Sequence, residues 1–263
     1  MGYVKTPEEV ARLREVLAEA HFVGGEMLAV RYRTDREAAA HVLPPGLELP
    51  DDPVASVVVG RWRSNCVGDF SGGAQYVRAR RDGIEASYVV TMFMDADVPM
   101  IFGRDLYGEP KKIASIGLFR QAHRATGWIE RGGVRLIEIE AQLGADRGPS
   151  TGTSADFNVK AMLAADGQGL DGDATITLAE YRSSIVVDRP AEAQLVLRST
   201  PHDPLGELPV EEVLGASYTE GDMTATCRAI GTIPGEAFFP YALGRYDDFT
   251  LLDTEAPAAL VAA

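Results

Sequence analysis

The stretch SYVVTMFM, residues 87–94, is a run of β-branched, aromatic and long apolar side chains without a helix signal, and it reads as a strand. Residues 54–59, 134–142, 175–181, 184–187 and 194–197 have the same character, and glycine, proline and aspartate turns separate them. Asp82-Gly83 reads as one such turn, and Gly72-Gly73 and Gly132-Gly133 as hairpin turns. So many short strands predict an α+β fold, mostly antiparallel β, curled or closed into barrel-like sheets with a few helices. Upstream, Thr6-Pro7-Glu8-Glu9 has the cap, first-turn proline and returning glutamate of a capping box, and Val10, Leu13 and Leu17 repeat at helical spacing. An N-terminal helix within residues 1–20 follows. Residues 35–42 read as a second short helix, stopped by Pro44-Pro45-Gly46. Residues 204–218 read as a proline-started stretch with a short helix at 210–214 before another strand. No linker divides the chain, so a single domain is expected over residues 1–263, with the alanine-rich residues 254–263 as a frayed tail.

Composition excludes several classes of function. With 46% hydrophobic and 24% charged residues in 263, the chain has an ordinary globular balance and can bury a full core. A net charge of -14 repels a phosphate backbone, and the basic cluster of Arg78, Arg80 and Arg81 is short, so nucleic acid is not an expected partner. No run approaches the roughly twenty apolar residues of a membrane span, and the first residues lack an apolar signal core. Two isolated cysteines, Cys66 and Cys227, read as thiols in a reducing compartment, and a soluble cytoplasmic protein is expected. His21, His41, His123 and His202 have no metal-ligand spacing, and there is no phosphate-cradling glycine loop, so no metal or cofactor is expected.

The chemistry concentrates in Gly103-Arg104-Asp105-Leu106-Tyr107-Gly108-Glu109-Pro110-Lys111-Lys112-Ile113, directly after the apolar residues 98–102. A lysine is a nucleophile only when its amine is unprotonated, a state favoured by apolar surroundings and a neighbouring positive charge. Lys111-Lys112, after a Gly-Glu-Pro turn and before an isoleucine, can have both. From charge alone the same pair reads as a solvated loop, since lysine is rarely buried.

The full string GRDLYGEPKK closely resembles the lysine motif of the acetoacetate decarboxylase-like superfamily. Tyr32-Arg33-Thr34-Asp35 with the Pro44-Pro45-Gly46-Leu47 turn, Met92-Phe93-Met94-Asp95 and the segment from Asp203 through Pro204-Leu205 to Pro209-Val210 extend the resemblance over roughly residues 20–245. The resemblance implies that Lys111 is a Schiff-base lysine and Lys112 the neighbour that keeps its amine unprotonated. It also implies a homo-oligomer.

The departures are as informative. Decarboxylases of the family place an arginine and two glutamates around the lysine. Counted from the shared segments, these positions fall on Gly25, on Val58 and near residues 71–73, with Gln75 a candidate for part of the last role. Glu109 stands where decarboxylases usually carry an aromatic residue, and a carboxylate there can move protons beside an iminium. Tyr246 in PYALGRYDDF resembles a late tyrosine that some non-decarboxylating relatives use for proton transfer. Arg63 and Arg104 are candidate carboxylate holders, although Arg104 also reads as a brace pairing with a local acid, and Phe22 and Phe93 are candidate pocket walls.

The expected activity is therefore a cofactor-independent lyase of the aldolase-dehydratase kind. In such relatives pyruvate or another small 2-keto acid forms an iminium, loses a proton, adds to an aldehyde and loses water. Decarboxylation of a 3-keto acid is one alternative, and a ligand-binding protein that keeps the fold without the chemistry is another.

Overall fold

The computed structural model describes residues 2–251, so the expected frayed tail lies outside the described residues. The helices are α1 (Pro7–Ala18), α2 (Arg36–Val42), α3 (Asp97–Phe102) and α4 (Gly235–Leu243). The principal strands are β1 (Ala20–Arg33), β2 (Val54–Ser64), β3 (Gly68–Arg81), β4 (Ile84–Met94), β5 (Lys111–Ile113), β6 (Ser115–Gln121), β7 (Arg124–Arg131), β8 (Val134–Leu143), β9 (Ser150–Lys160) and β10 (Ala174–Leu197). The two-residue β11 (Ser199–Thr200) and β12 (Asp203–Pro204) precede β13 (Glu212–Ile233). The first helix starts where the capping box puts it, with Thr6 and Glu9 each bonded to the other's backbone N–H.

Seven strands close into a barrel, in the order β13-β1-β2-β3-β4-β9-β10 and back to β13. Every pairing in the ring is antiparallel except the short parallel contact of β4 with β9, through Ser87–Asp156 and Tyr88–Phe157. Beyond the ring, the end of β10 pairs with β8, and β7 and β6 continue that sheet. This extension folds back over the outside of the barrel, where Ile129, Ile137 and Ile139 share one fully buried cluster with Leu28, Val30, Val57 and Val59. Each such side chain contributes about 1.5–3 kcal/mol by leaving water. Gly127 lets the sheets meet, since a Cβ there would lie 3.1 Å from Val59.

Period-two alternation gives each barrel strand two apolar faces. On β2, Ala55, Val57 and Val59 face the outer core while Ser56 and Val58 face the barrel interior. That is why residues 54–59 read as a nearly continuous apolar run.

Three expectations need correction. Residues 175–181, 184–187 and 194–197 are one strand, β10, which continues through Pro190. The proline pairs with Ser217 of β13 on one edge, and on the other it lies between the last β9 pairing at Ile185 and the first β8 pairing at Ala191, where no strand ladder requires its missing N–H. Gly72 and Gly73 are not a turn but the middle of β3, where a Cβ on Gly73 would press on the Val58 carbonyl and on Ile129. The glycines that do turn the chain, Gly83 and Gly132-Gly133, have positive φ. Finally, residues 210–214 form no helix: a 3-10 turn spans Leu205–Glu207, and β13 begins at Glu212.

The short strand β5 is pinned from outside the barrel. Lys112 Nζ lies 2.9 Å from Asp203 and 3.3 Å from Asp247, and Arg131 closes the cluster with 2.7 Å contacts to both carboxylates. Lys112 also donates to the carbonyls of His202 and Tyr246. Hydrogen bonding from Arg131 holds the Asp247 carboxyl below its ordinary range. Removing one partner strands a buried charge, so Asp203→Ala should cost about 3–5 kcal/mol in urea unfolding. A loss under 1 kcal/mol would mean that the cluster does not anchor β5.

Candidate active site

The lysine segment is built by a sharp local path. The helix α3 runs into a π-helical turn, Gly103–Tyr107, which Gly108 ends with a left-handed φ of 79° and an N–H bonded to the Gly103 carbonyl. A side chain at Gly108 would meet the backbone of Lys160 at 2.5 Å, so glycine is required there on both counts. The chain then extends through Glu109 and Pro110 into β5, parallel to β4 with Met92 opposite Lys111. Arg104 reaches forward 2.8 Å to the Lys111 carbonyl and holds the turn against the strand. Successive residues of a strand point to opposite faces, so Lys111 enters the barrel while Lys112 leaves it.

Inside is a cavity of about 400 Å³. Lys111 Nζ lies at its wall, 2.7 Å from Glu109 Oε2 and 3.1 Å from the Pro99 carbonyl, and both charged side chains are less than 10% exposed. Apolar walls come from Met92 and Met94 on β4, Val58 on β2, Ile185 on β10 and Met223 on β13. At the end of the barrel near the β2–β3 hairpin, Trp62 stacks on Phe70 at 5.4 Å between ring centroids, and Phe22 meets Phe70 edge-on. The Trp62 indole lies over Gly25, Gly60 and Gly72 of three adjacent strands, where a Cβ on any of them would come within 3.3 Å of the ring.

The remaining polar groups are Asp156 on β9, Tyr76 on β3, Tyr181 on β10 and several serines. Burial first, and the negative charge of Glu109 second, push the Asp156 carboxyl up to about 8, against a hydrogen bond from Tyr181 that favours its ionised form. Burial and the same two carboxylates raise the hydroxyls of Tyr76 and Tyr181. Among the described residues lining the cavity, Lys111 is the one cation.

The structure sorts the sequence-predicted residues. It brings Lys111, Glu109 and Phe22 to the cavity. Lys112, expected beside the reactive amine, is instead held on the other side of β5 by Asp203 and Asp247. Tyr246 is outside the cavity too, its carbonyl bound to Lys112 and its ring 5.0 Å from the Arg104 guanidinium. Arg104 braces the segment through a carbonyl rather than an acid, and Arg63 is exposed on β2. Gln75 faces the outer core, donating to Tyr32 Oη and the Leu205 carbonyl, and Phe93 is fully buried in that core. Of the positions onto which counting from the shared segments places the decarboxylases' charged groups, Val58 lines the cavity and Gly25 lies beneath Trp62.

Sequence reasoning missed Asp156, Tyr76 and Tyr181. The available signal was the parity of β9, on which Ser154 and Asp156 share one face while Phe157 and Val159 are buried in the core.

Gly103 permits the Lys111–Glu109 contact, because a Cβ there would collide with both the Glu109 carboxylate and the Lys111 amine. Gly103→Ala should therefore separate the pair and lower borohydride trapping of carbonyl compounds on Lys111 at least about tenfold, with unchanged far-ultraviolet circular dichroism. Trapping at the native rate would show that the contact does not govern the amine. Asp156 also leaves a mark on stability. Its folded-state value exceeds the unfolded one near 4, so its protonation favours the fold fully below about pH 4, an advantage lost as pH rises through about 8. Melting temperatures should accordingly show Asp156→Asn gaining on the native protein between pH 4 and 8, and a constant difference would contradict the buried-acid assignment.

The acetoacetate decarboxylase family model matches residues 5–231. Acetoacetate decarboxylase from Acidiphilium cryptum is 30% identical over 211 residues, 77% of this chain and 84% of that protein. The fold is similar to that of acetoacetate decarboxylase from Legionella pneumophila, with a TM-score of 0.74 at 22% identity over 81% of this chain and 87% of that one. It is also similar to the enduracididine biosynthesis enzyme MppR complexed with pyruvate, with a TM-score of 0.69 at 19% identity over 81% and 90% of the two chains. MppR has also been solved with the condensation product of pyruvate and imidazole 4-carboxaldehyde. With a lysine buried at the wall of a closed barrel and a matching family model over most of its length, this chain is an enzyme of the acetoacetate decarboxylase family.

Proposed function

We propose that the enzyme is a lyase in which Lys111 condenses with the ketone of a small 2-keto acid such as pyruvate and catalyses aldol addition with dehydration, or the reverse. The observation that carries this reading is the Glu109 carboxylate 2.7 Å from Lys111 Nζ inside the barrel. An amine must lose its ammonium proton before it attacks a carbonyl, and Glu109 is in contact to take it. Once the iminium has formed, the acidic hydrogens are on the carbon next to the iminium carbon, two bonds from the nitrogen and within reach of the same carboxylate. Their removal gives the enamine, the nucleophile that adds to an aldehyde. Decarboxylation needs no such base to reach the enamine, because carbon dioxide leaves without the C–C bonding pair, which stays behind and flows toward the iminium nitrogen.

The cavity walls support this choice. Apolar Val58 and the Trp62 indole over Gly25 stand at two of the positions where decarboxylases carry charged residues. The carboxylate of a bound 2-keto acid is matched by the iminium it adjoins, and the aromatic group of Phe22, Trp62 and Phe70 offers an apolar surface to an aldehyde partner. MppR, with its bound condensation product, sets a precedent within this fold. Decarboxylation of a 3-keto acid is the second reading, favoured by the 30% identity to a decarboxylase.

Borohydride trapping with pyruvate and with acetoacetate, read by peptide mass, separates the two. The expected result is a pyruvate adduct on Lys111 that Lys111→Ala abolishes, without carbon dioxide release from acetoacetate. Glu109→Gln should keep an adduct yet slow exchange of the pyruvate methyl hydrogens with deuterated water by about 10²–10⁴-fold. Carbon dioxide release would move the assignment to decarboxylase, and failure of every keto acid to label Lys111 would remove the Schiff-base mechanism.

A further inference from the structure

Two carboxyl groups share the cavity with Lys111, and their environments differ. Glu109 is in direct contact with the ammonium. Asp156 projects from β9 into the same cavity, with Tyr76 of β3 and Tyr181 of β10 as its polar neighbours, while Glu109 interacts with it through space. Among the described residues the ammonium of the cavity pairs with Glu109 and leaves Asp156 without a cation. An unpaired carboxylate is costly in such a place, and its desolvation raises the Asp156 carboxyl to about 8. Two like groups, one in contact with the ammonium and one without a cation, can divide base from acid work. A purely structural position does not explain the choice of residue, since asparagine or serine would hydrogen-bond to Tyr181 equally well without the cost of a buried acid.

We propose that Asp156 is a catalytic acid of this enzyme, donating its proton to the hydroxyl that leaves when the Lys111 carbinolamine collapses to the iminium. The role rests on Lys111 as the imine-forming residue and is independent of whether aldol chemistry or decarboxylation follows. Glu109 first takes a proton from the Lys111 ammonium. The freed lone pair attacks the ketone carbon, an N–C bond forms, and a proton passes from nitrogen to the former carbonyl oxygen. The carbinolamine C–O bond then breaks with the Asp156 proton joining the departing oxygen as water, while the nitrogen lone pair makes the C=N bond. Iminium and Asp156 carboxylate are created together, so the net charge of the cavity does not change. Proton return from Glu109 to Asp156 restores the acid and frees Glu109 as a base. The sum is ammonium plus ketone giving iminium plus water.

An acid catalyst changes how fast the adduct forms, not how much forms at equilibrium, and this separates the proposal from a structural role. With pyruvate as probe, borohydride quenching at timed intervals and intact mass give both quantities. Asp156→Asn is expected to reach the native adduct fraction within about twofold but to approach it about 10²–10⁴-fold more slowly. Asp156→Ser, which also lacks an acidic proton, should behave alike and guards against a folding defect in one variant. Native rates in either folded variant would overturn the proposal, as would rate and extent falling in parallel. Absence of any pyruvate adduct in the native protein would instead sink the Lys111 reading on which it rests.

Discussion

The pairing of Lys112 with Asp203, Asp247 and Arg131 is the contact on which the site depends. Strand β5 is only three residues long and pairs in parallel with β4 alone, too little ladder to fix its rotation. The ion cluster supplies the missing constraint from outside the barrel. With Lys112 held there, the pleat forces Lys111 inward. Adjacent lysines that read as two parts of one reactive pair are thus one anchor outside the barrel and one amine at the cavity, separated by the strand that carries them.

On the inner side, the barrel surrounds the amine with surfaces that offer it little water. Its walls are methionine, valine and isoleucine, and its aromatic end is assembled by an exchange of volume between strands: Gly25, Gly60 and Gly72 give up side chains so that one indole can lie flat across β1, β2 and β3. Glycine at position 25 therefore has a packing consequence. The space is filled by an apolar ring, and the charged groups among the described lining residues are Lys111, Glu109 and Asp156. A low-dielectric enclosure strengthens the interactions among those three and penalises an unpaired charge, which is why the Asp156 carboxyl is raised.

Much of this was legible in the sequence. The strand character of residues 54–59, 87–94 and 134–142, the N-terminal capping box and the Gly132-Gly133 turn are local signals, set by side-chain branching, hydrogen-bonding reach and backbone freedom within a few residues, and the structure bears them out. Local signals failed where a distant strand decided the outcome. Gly72-Gly73 has turn composition, yet it is strand because Trp62, Val58 and Ile129 occupy the space its side chains would take. The region around Pro190 has breaker composition, yet it stays extended because β13 runs alongside it on one edge.

The same division holds for the site. By itself the sequence determined the mostly antiparallel β class and singled out the segment from Gly103 to Lys112, because the motif is contiguous and its glycines answer to constraints a few residues away. Only the tertiary structure decided that Lys111 faces inward and Lys112 outward, that Gln75 and Phe93 belong to the outer core, that Tyr246 and Arg104 brace the segment from behind, and that Asp156 joins Glu109 at the cavity. The physical reason is the closure of the barrel. Residues 76, 109, 111, 156 and 181 come from different strands and one loop, and which of them meet depends on register and strand order, which no local stretch of sequence records.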